Sequence, residues 1–139
     1  MKSMVVGVDG SAASTEAVRL AAEIAAATKS RVVLAHVLPV PTPLPPEVVV
    51  PASWIEELTE AGQSILSAAA EQCAKAGVQS ESRILDGAPD EALARLAAQL
   101  ESDLIAVGSR GRGAVSRLLL GSVADRLVQT AGCPVLVAR

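Results

Sequence analysis

Residues 104–123 read Leu104-Ile105-Ala106-Val107-Gly108-Ser109-Arg110-Gly111-Arg112-Gly113-Ala114-Val115-Ser116-Arg117-Leu118-Leu119-Leu120-Gly121-Ser122-Val123. The apolar start predicts a buried strand, the glycines a loop, and the spacing after Ser122 a helix. Strand, glycine loop and helix start is an order suited to phosphate. Glycines let the backbone approach a ligand closely, so that successive amide N–H groups converge on an anion. The first N–H groups and the positive dipole end of the helix add to the attraction. Arg110, Arg112 and Arg117 place mobile positive charge in the same stretch, with Arg117 the preferred phosphate contact. Ser109 and Ser116 offer hydroxyls for phosphate contact or for phosphorylation.

The spacing narrows the ligand class. Gly108, Gly111 and Gly121-Ser122 fit G-x-x-G, nine residues, then G-[ST]. No lysine lies in the stretch, so it is not a Walker loop, and no G-x-G-x-x-G occupies the first strand-helix turn. The pattern resembles the ATP-binding signature of the universal stress protein family. The similarity extends to Val5-Val6-Gly7-Val8-Asp9-Gly10-Ser11, which resembles that family's first strand and Asp turn. Ala35-His36-Val37 resembles the end of its second strand, and Gly132-Cys133-Pro134-Val135-Leu136-Val137 its closing strand.

The resemblance implies an adenine nucleotide alpha hydrolase-like fold with sheet order 3-2-1-4-5, ATP as ligand and Mg²⁺ beside it. It places Gly7, Asp9 and Val37 around the nucleoside, the Val37 backbone meeting adenine. Gly10, Val107, Gly108, Arg110, Gly111, Gly113, Arg117, Gly121, Ser122 and Val123 complete the expected nucleotide cradle. It further implies a homodimer formed through the fifth strand, Val135, Leu136 and Val137, whose apolar edge invites pairing with another chain. The plainer alternative is an edge covered by Arg139 and neighbouring loops.

Taken in order, Met4 to Val8 reads as a strand ended by Asp9-Gly10-Ser11, with Ser11 capping the next helix. Ala17, Leu20, Ala21, Ile24 and Ala25 give that helix its apolar face. Arg31 to Val37 is a second strand. Six prolines between Leu38 and Ala52 exclude a regular helix and predict an extended connection, or less simply a lid or partner-docking segment. Ser53-Trp54-Ile55-Glu56 matches a capping box. Trp54, Leu58, Ala61, Ile65, Ala69, Cys73 and Ala76 then form a helical stripe ending at Gly77. Val78 to Leu85 is a third strand near a sheet edge, and Pro89 opens a third helix carrying Leu93, Leu96, Ala97 and Leu100. Asp103 to Val107 is the fourth strand. Val123, Leu127 and Val128 mark a fourth helix that stops at Gly132, and Pro134 to Ala138 is the fifth strand. Strands and helices in alternation predict an α/β fold: a single domain over residues 1–139, an open, doubly wound, five-stranded parallel sheet with four helices.

Composition bounds the rest. Half of the 139 residues are hydrophobic and Trp54 is the single aromatic, so the core is built from Ala, Val, Leu and Ile. A net charge of −3 argues against a nucleic-acid or membrane-surface binder. Cys73 and Cys133 form no C-x-x-C and read as buried free thiols. Met1-Lys2-Ser3-Met4 leads straight into a strand without a signal-peptide core, and no apolar run reaches membrane-span length, which predicts a soluble cytoplasmic protein.

Asp9 either ligates Mg²⁺, accepts hydrogen bonds from a ribose, or caps the turn before the first helix. His36, the one histidine, sits in an apolar strand without a local carboxylate or cysteine partner and reads as a hydrogen-bonded structural residue. The expected function is therefore ATP binding in a regulatory or signalling module of the stress response, acting on an unknown downstream protein. The alternatives are a slow ATP hydrolase and a dimeric interaction protein that needs no nucleotide. No P-loop lysine, second strand-end carboxylate or nucleophile pair supports rapid hydrolysis.

Overall fold

The computed structural model describes residues 1–40, 44–111 and 120–139. Five strands alternate with four helices: β1 (Ser3–Gly7), α1 (Ala12–Thr28), β2 (Arg31–Val37), α2 (Ala52–Lys75), β3 (Ser80–Leu85), α3 (Pro89–Gln99), β4 (Leu104–Gly108), α4 (Ser122–Thr130) and β5 (Val135–Ala138). All strand pairs are parallel and the sheet order is β3-β2-β1-β4-β5. The first two crossovers run one way from β1 and the last two run the other. Right-handed crossovers then require α1 and α2 on one face and α3 and α4 on the opposite one. Two clusters of buried residues follow that division. Met4, Val6, Val32, Leu34 and Ala106 pack with Ala17, Val18, Ala21, Leu66 and Cys73. Val5, Val33, Ala35, Ile105 and Val107 pack with Leu93, Leu96, Ala97 and Leu127. Because both faces are covered, the inner strands carry continuous apolar runs (Met4 to Val6, Val32 to Ala35, Leu104 to Val107) and show no alternation.

Local signals fix the joints. Ser11 is the N-cap of α1 and accepts the Ser14 N–H at 3.2 Å. Gly77, at φ +76°, follows the C-cap of α2, and Pro89 opens α3. The capping box expected at Ser53 does not form: the N-cap of α2 is Pro51, which makes no side-chain cap bond, and Ser53 lies inside the helix. Proline two residues earlier already supplies the extended geometry that ends the preceding loop. The buried stripe of α2 keeps the expected Ala69 and Cys73 but runs through Gly62 and Leu66 in place of Ala61 and Ile65, while Trp54 is 37 % exposed. Val128 of α4 is 56 % exposed and takes no part in the core. Cys73 is buried, and burial raises its thiol pKa against a lowering hydrogen bond with Ser80. Cys133 is only half-buried, its thiol raised by burial and by the Asp103 charge. Neither is an activated thiol.

The N-terminal strand is tied down by charge. Asp103 Oδ2 accepts the backbone N–H groups of Lys2 (2.7 Å) and Ser3 (3.1 Å), which hold its carboxyl below the usual range. A lowered folded pKa contributes stability that is present above the ordinary carboxylate value and lost as pH falls through the folded one. Asp103→Asn is expected to speed hydrogen exchange at the Lys2 and Ser3 amides roughly fivefold at neutral pH. On acidification below about pH 4 the parent is expected to approach the variant. An unchanged exchange rate in the variant removes the clamp.

Candidate functional site

The carboxyl ends of β1 and β4 meet where the winding direction reverses, as in other open α/β sheets whose ligands bind there. A cleft of about 450 Å³ opens at this point. Gly7, Val8 and Asp9 at the end of β1, Ala35, His36 and Val37 of β2, and Pro39 beyond it form one side. Val107, Gly108, Arg110 and Gly111 at the end of β4 form the other, with Ser14 of α1, Pro89 and Leu93 of α3, and Gly121 to Ala124 at the start of α4. A second recess of about 320 Å³, between β3 and α3 beside Arg95 and Gln99, includes neither the glycine loop nor the start of α4.

The glycine loop is closed at its neck. The Gly121 N–H donates to the Ser109 carbonyl at 2.6 Å, so the chain leaves and returns at one place. A Cβ on Gly121 would stand 3.2 Å from Arg110 Cα and from the Ser109 oxygen. Gly121 is also the N-cap of α4, and the first intrahelical bond runs from Asp125 N–H to the Gly121 carbonyl. The N–H groups of Ser122, Val123 and Ala124 precede that bond at the rim of the cleft. They are the donors that a helix start leaves for an anion.

Asp9 connects the two halves. Its Oδ1 accepts the Ser11 N–H at 2.9 Å, a turn that positions Gly10 at φ +82°. Its Oδ2 points toward the loop that follows β4, where a Cβ on Gly111 would come within 2.8 Å of it. One carboxylate oxygen thus sets the turn and the other faces the loop. Ser11 adds a second tie through a 3.4 Å hydrogen bond from its hydroxyl to the Arg110 carbonyl. Among the described residues no group of three His, Cys, Asp or Glu side chains is placed to hold a metal ion by itself.

The apolar wall comes from the α3 and α4 face of the sheet. Val37, Leu93, Val107 and Val123 belong to one cluster. At the floor, a Cβ on Gly7 would press on Leu93 Cδ1 at 2.9 Å, and one on Gly108 would press on the Ala13 and Ser14 backbone at 2.7 Å. The Leu38 N–H donates to Leu85 of β3. Backbone direction alternates along a strand, so the N–H and C=O of Val37 point the opposite way, toward β1 and the cleft.

Residues 1–139 match the model of the universal stress protein family. The chain belongs to this family. It is 36 % identical to universal stress protein MJ0531 of Methanocaldococcus jannaschii, over 99 % of this chain and 82 % of that protein. It is 33 % identical to universal stress protein YxiE of Bacillus subtilis, over 98 % and 97 %. Among solved structures, a universal stress protein in complex with cAMP superposes with a TM-score of 0.78 at 30 % identity, covering 99 % of this chain and 97 % of that one. The Archaeoglobus fulgidus universal stress protein in complex with dAMP superposes at 0.75 and 25 % identity, covering 100 % and 98 %.

In this universal stress protein fold, Gly7, Asp9, Val37, Val107, Gly108, Arg110, Gly111, Gly121, Ser122 and Val123 are brought together around the cleft. Gly10 does not line it; it borders a smaller recess between α1 and α2. Gly113 and Arg117, with Arg112 and Ser116, lie outside the described residues. Sequence reasoning missed Val8, Ser14, Ala35, His36, Pro39, Pro89, Leu93 and Ala124 as lining residues. Pro89 was within reach, since it follows the carboxyl end of β3; Leu93 read only as part of a buried helix stripe. No helix among the described residues is long and apolar enough to cross a membrane.

Proposed function

We propose that the cleft binds an adenine nucleotide, with ATP as the working ligand, and that occupancy rather than turnover is the signal a partner protein reads. The observation that carries this reading is that one cleft joins the Val37 backbone pair to the open start of α4. Adenine offers an acceptor at N1 beside a donor at N6, which complements an N–H and a C=O from one residue. Val37, Leu93 and Val107 supply apolar surface for the base. Ser122, Val123 and Ala124 supply amide donors to phosphates, with Arg110 on the same rim. The cAMP and dAMP complexes of relatives support the adenine part of the reading.

Mg²⁺ fits as an ion shared with the phosphates. Asp9 Oδ2 faces the loop, and Mg²⁺ is commonly held by one or two carboxylates plus phosphate oxygens and water. Asp9 is the one carboxylate lining the cleft among the described residues. A hydrolase also needs a group that orients water against the terminal phosphate, and the lining offers little for that role. A homodimer through β5 accompanies this reading, because Val135, Leu136 and Val137 are apolar, half-buried and on the outermost strand.

The test is to denature the purified protein in acid, identify any released nucleotide by chromatography, and follow added ATP for several hours. Bound, intact ATP is the expected result. Steady release of ADP that disappears in Asp9→Ala favours the hydrolase. A protein that neither carries nor binds nucleotide is an interaction module only.

A further inference from the structure

We infer, building on the adenine reading above, that His36 is a positioning residue for base recognition: its imidazole occupies a rung of the β1–β2 ladder and thereby leaves the Val37 backbone open to the ligand. In the register of this pair Gly7 stands opposite Ala35, and the Val8 N–H donates to the Ala35 carbonyl at 2.8 Å. In a parallel ladder the next rung would run from the Val37 N–H to the Val8 carbonyl. In that place the Val8 carbonyl accepts from His36 Nδ1 at 2.7 Å. A carbonyl oxygen carries no proton, so Nδ1–H is the donor and the tautomer is fixed. The strand assignments agree: β1 stops at Gly7 and β2 at Val37.

A second observation, from another element, shows that the ring is held in this pose. His36 is buried and projects to the α1 and α2 face, two residues on from Leu34, whereas Val37 projects to the α3 and α4 face. There α2 passes over the imidazole at Gly62, where an added Cβ would lie 2.6 Å from His36 Cδ2 and 3.2 Å from Nε2. Glycine within a helix carries a cost relative to alanine. At Gly62 that cost admits the ring. The imidazole is thus clamped between a helix backbone and the strand-end carbonyl, and the strand pair opens at the residue where the base needs a donor and an acceptor. His36 itself need not touch the ligand.

Amide hydrogen exchange in the nucleotide-free protein tests the rung directly. The Val37 amide is expected to exchange on the order of 100-fold faster than the Ala35 amide, which lies inside the ladder. In His36→Leu the Val8 carbonyl is released to Val37, and Val37 exchange is expected to slow at least tenfold, to within reach of Ala35. Calorimetry on the same proteins is expected to show the ATP-to-GTP affinity ratio falling about tenfold in His36→Leu. His36→Asn, whose amide N–H reaches toward the former Nδ1 position, retains both behaviours. A Val37 amide as protected as Ala35 in the parent overturns the inference, as does an unaltered ATP-to-GTP ratio in His36→Leu or loss of both behaviours in His36→Asn. If the parent binds neither nucleotide, the adenine reading fails, and the exchange rates alone decide whether His36 holds the rung. If His36→Leu does not fold, the parent and His36→Asn still decide it.

Discussion

Gly108→Ala is expected to destabilise the protein by about 3 kcal/mol, the upper part of the range for overpacking. The added methyl would stand 2.7 Å from the Ala13 carbonyl carbon and the Ser14 nitrogen, and 2.8 Å from Ala13 Cβ. These are the first-turn atoms of α1, fixed by the Ser11 cap and by the bond from the Asp9 N–H to the Ser14 hydroxyl. A flexible side chain would move aside; backbone in a capped helix does not. Gly121→Ala provides the contrast, since its nearest neighbours are 3.2 Å away and its main cost is a poorer N-cap, about 1 kcal/mol. Chemical denaturation of the two variants measures the difference. Equal midpoints for Gly108→Ala and the parent would show that α1 does not approach β4 this closely. The first glycine of the loop pattern is thus required by helix packing on the strand, and its effect on nucleotide binding follows from the fold.

Preference for ATP over GTP is expected to be on the order of 100-fold. Guanine places a donor at N1 and an acceptor at O6, the reverse of adenine. Against Val37, donor would then meet donor and acceptor would meet acceptor. Each unpaired buried group costs about 1–3 kcal/mol, and two such losses total roughly 3 kcal/mol, a factor of about 100. Calorimetric titration with the two nucleotides reads this ratio. Equal affinities would move base recognition away from Val37.

The inner strands were legible because their apolar runs leave few choices. Val5-Val6, Val32-Val33-Leu34 and Ile105-Ala106 read as strands buried on both faces; their order came from the family resemblance, and crossover handedness then assigns the helices to the two faces. Local chemistry at Ser11, Gly77 and Pro89 was legible for the same reason: caps and turns depend on neighbours in sequence. What failed depends on contacts across the fold. Ser53 had the composition of a capping box, but Pro51 had already set the helix start. Trp54 fell on the expected apolar face, yet the packing of α2 is centred on Gly62 and Leu66, one position round the helix. His36 read as hydrogen-bonded, which the Val8 carbonyl bears out, while its neighbours, Val8 and Gly62, lie 28 and 26 residues away in the chain and leave no local pattern. Gly108 and Gly111 were recognised as a pair, although their neighbours differ: α1 for one, the Asp9 carboxylate for the other.

The hydrogen bond from Gly121 to Ser109 has a consequence for how the site can diverge. With the two ends pinned together, a flexible insertion placed between them would add closure entropy of about 0.6 kcal/mol for each doubling of length. The sheet and the start of α4 would not register the change. Val37 has no such freedom, because one residue added to β2 would exchange its two faces and expel His36 from beneath α2. On the proposed reading, the phosphate end of the site is therefore free to diverge while the base end is held in place by the sheet.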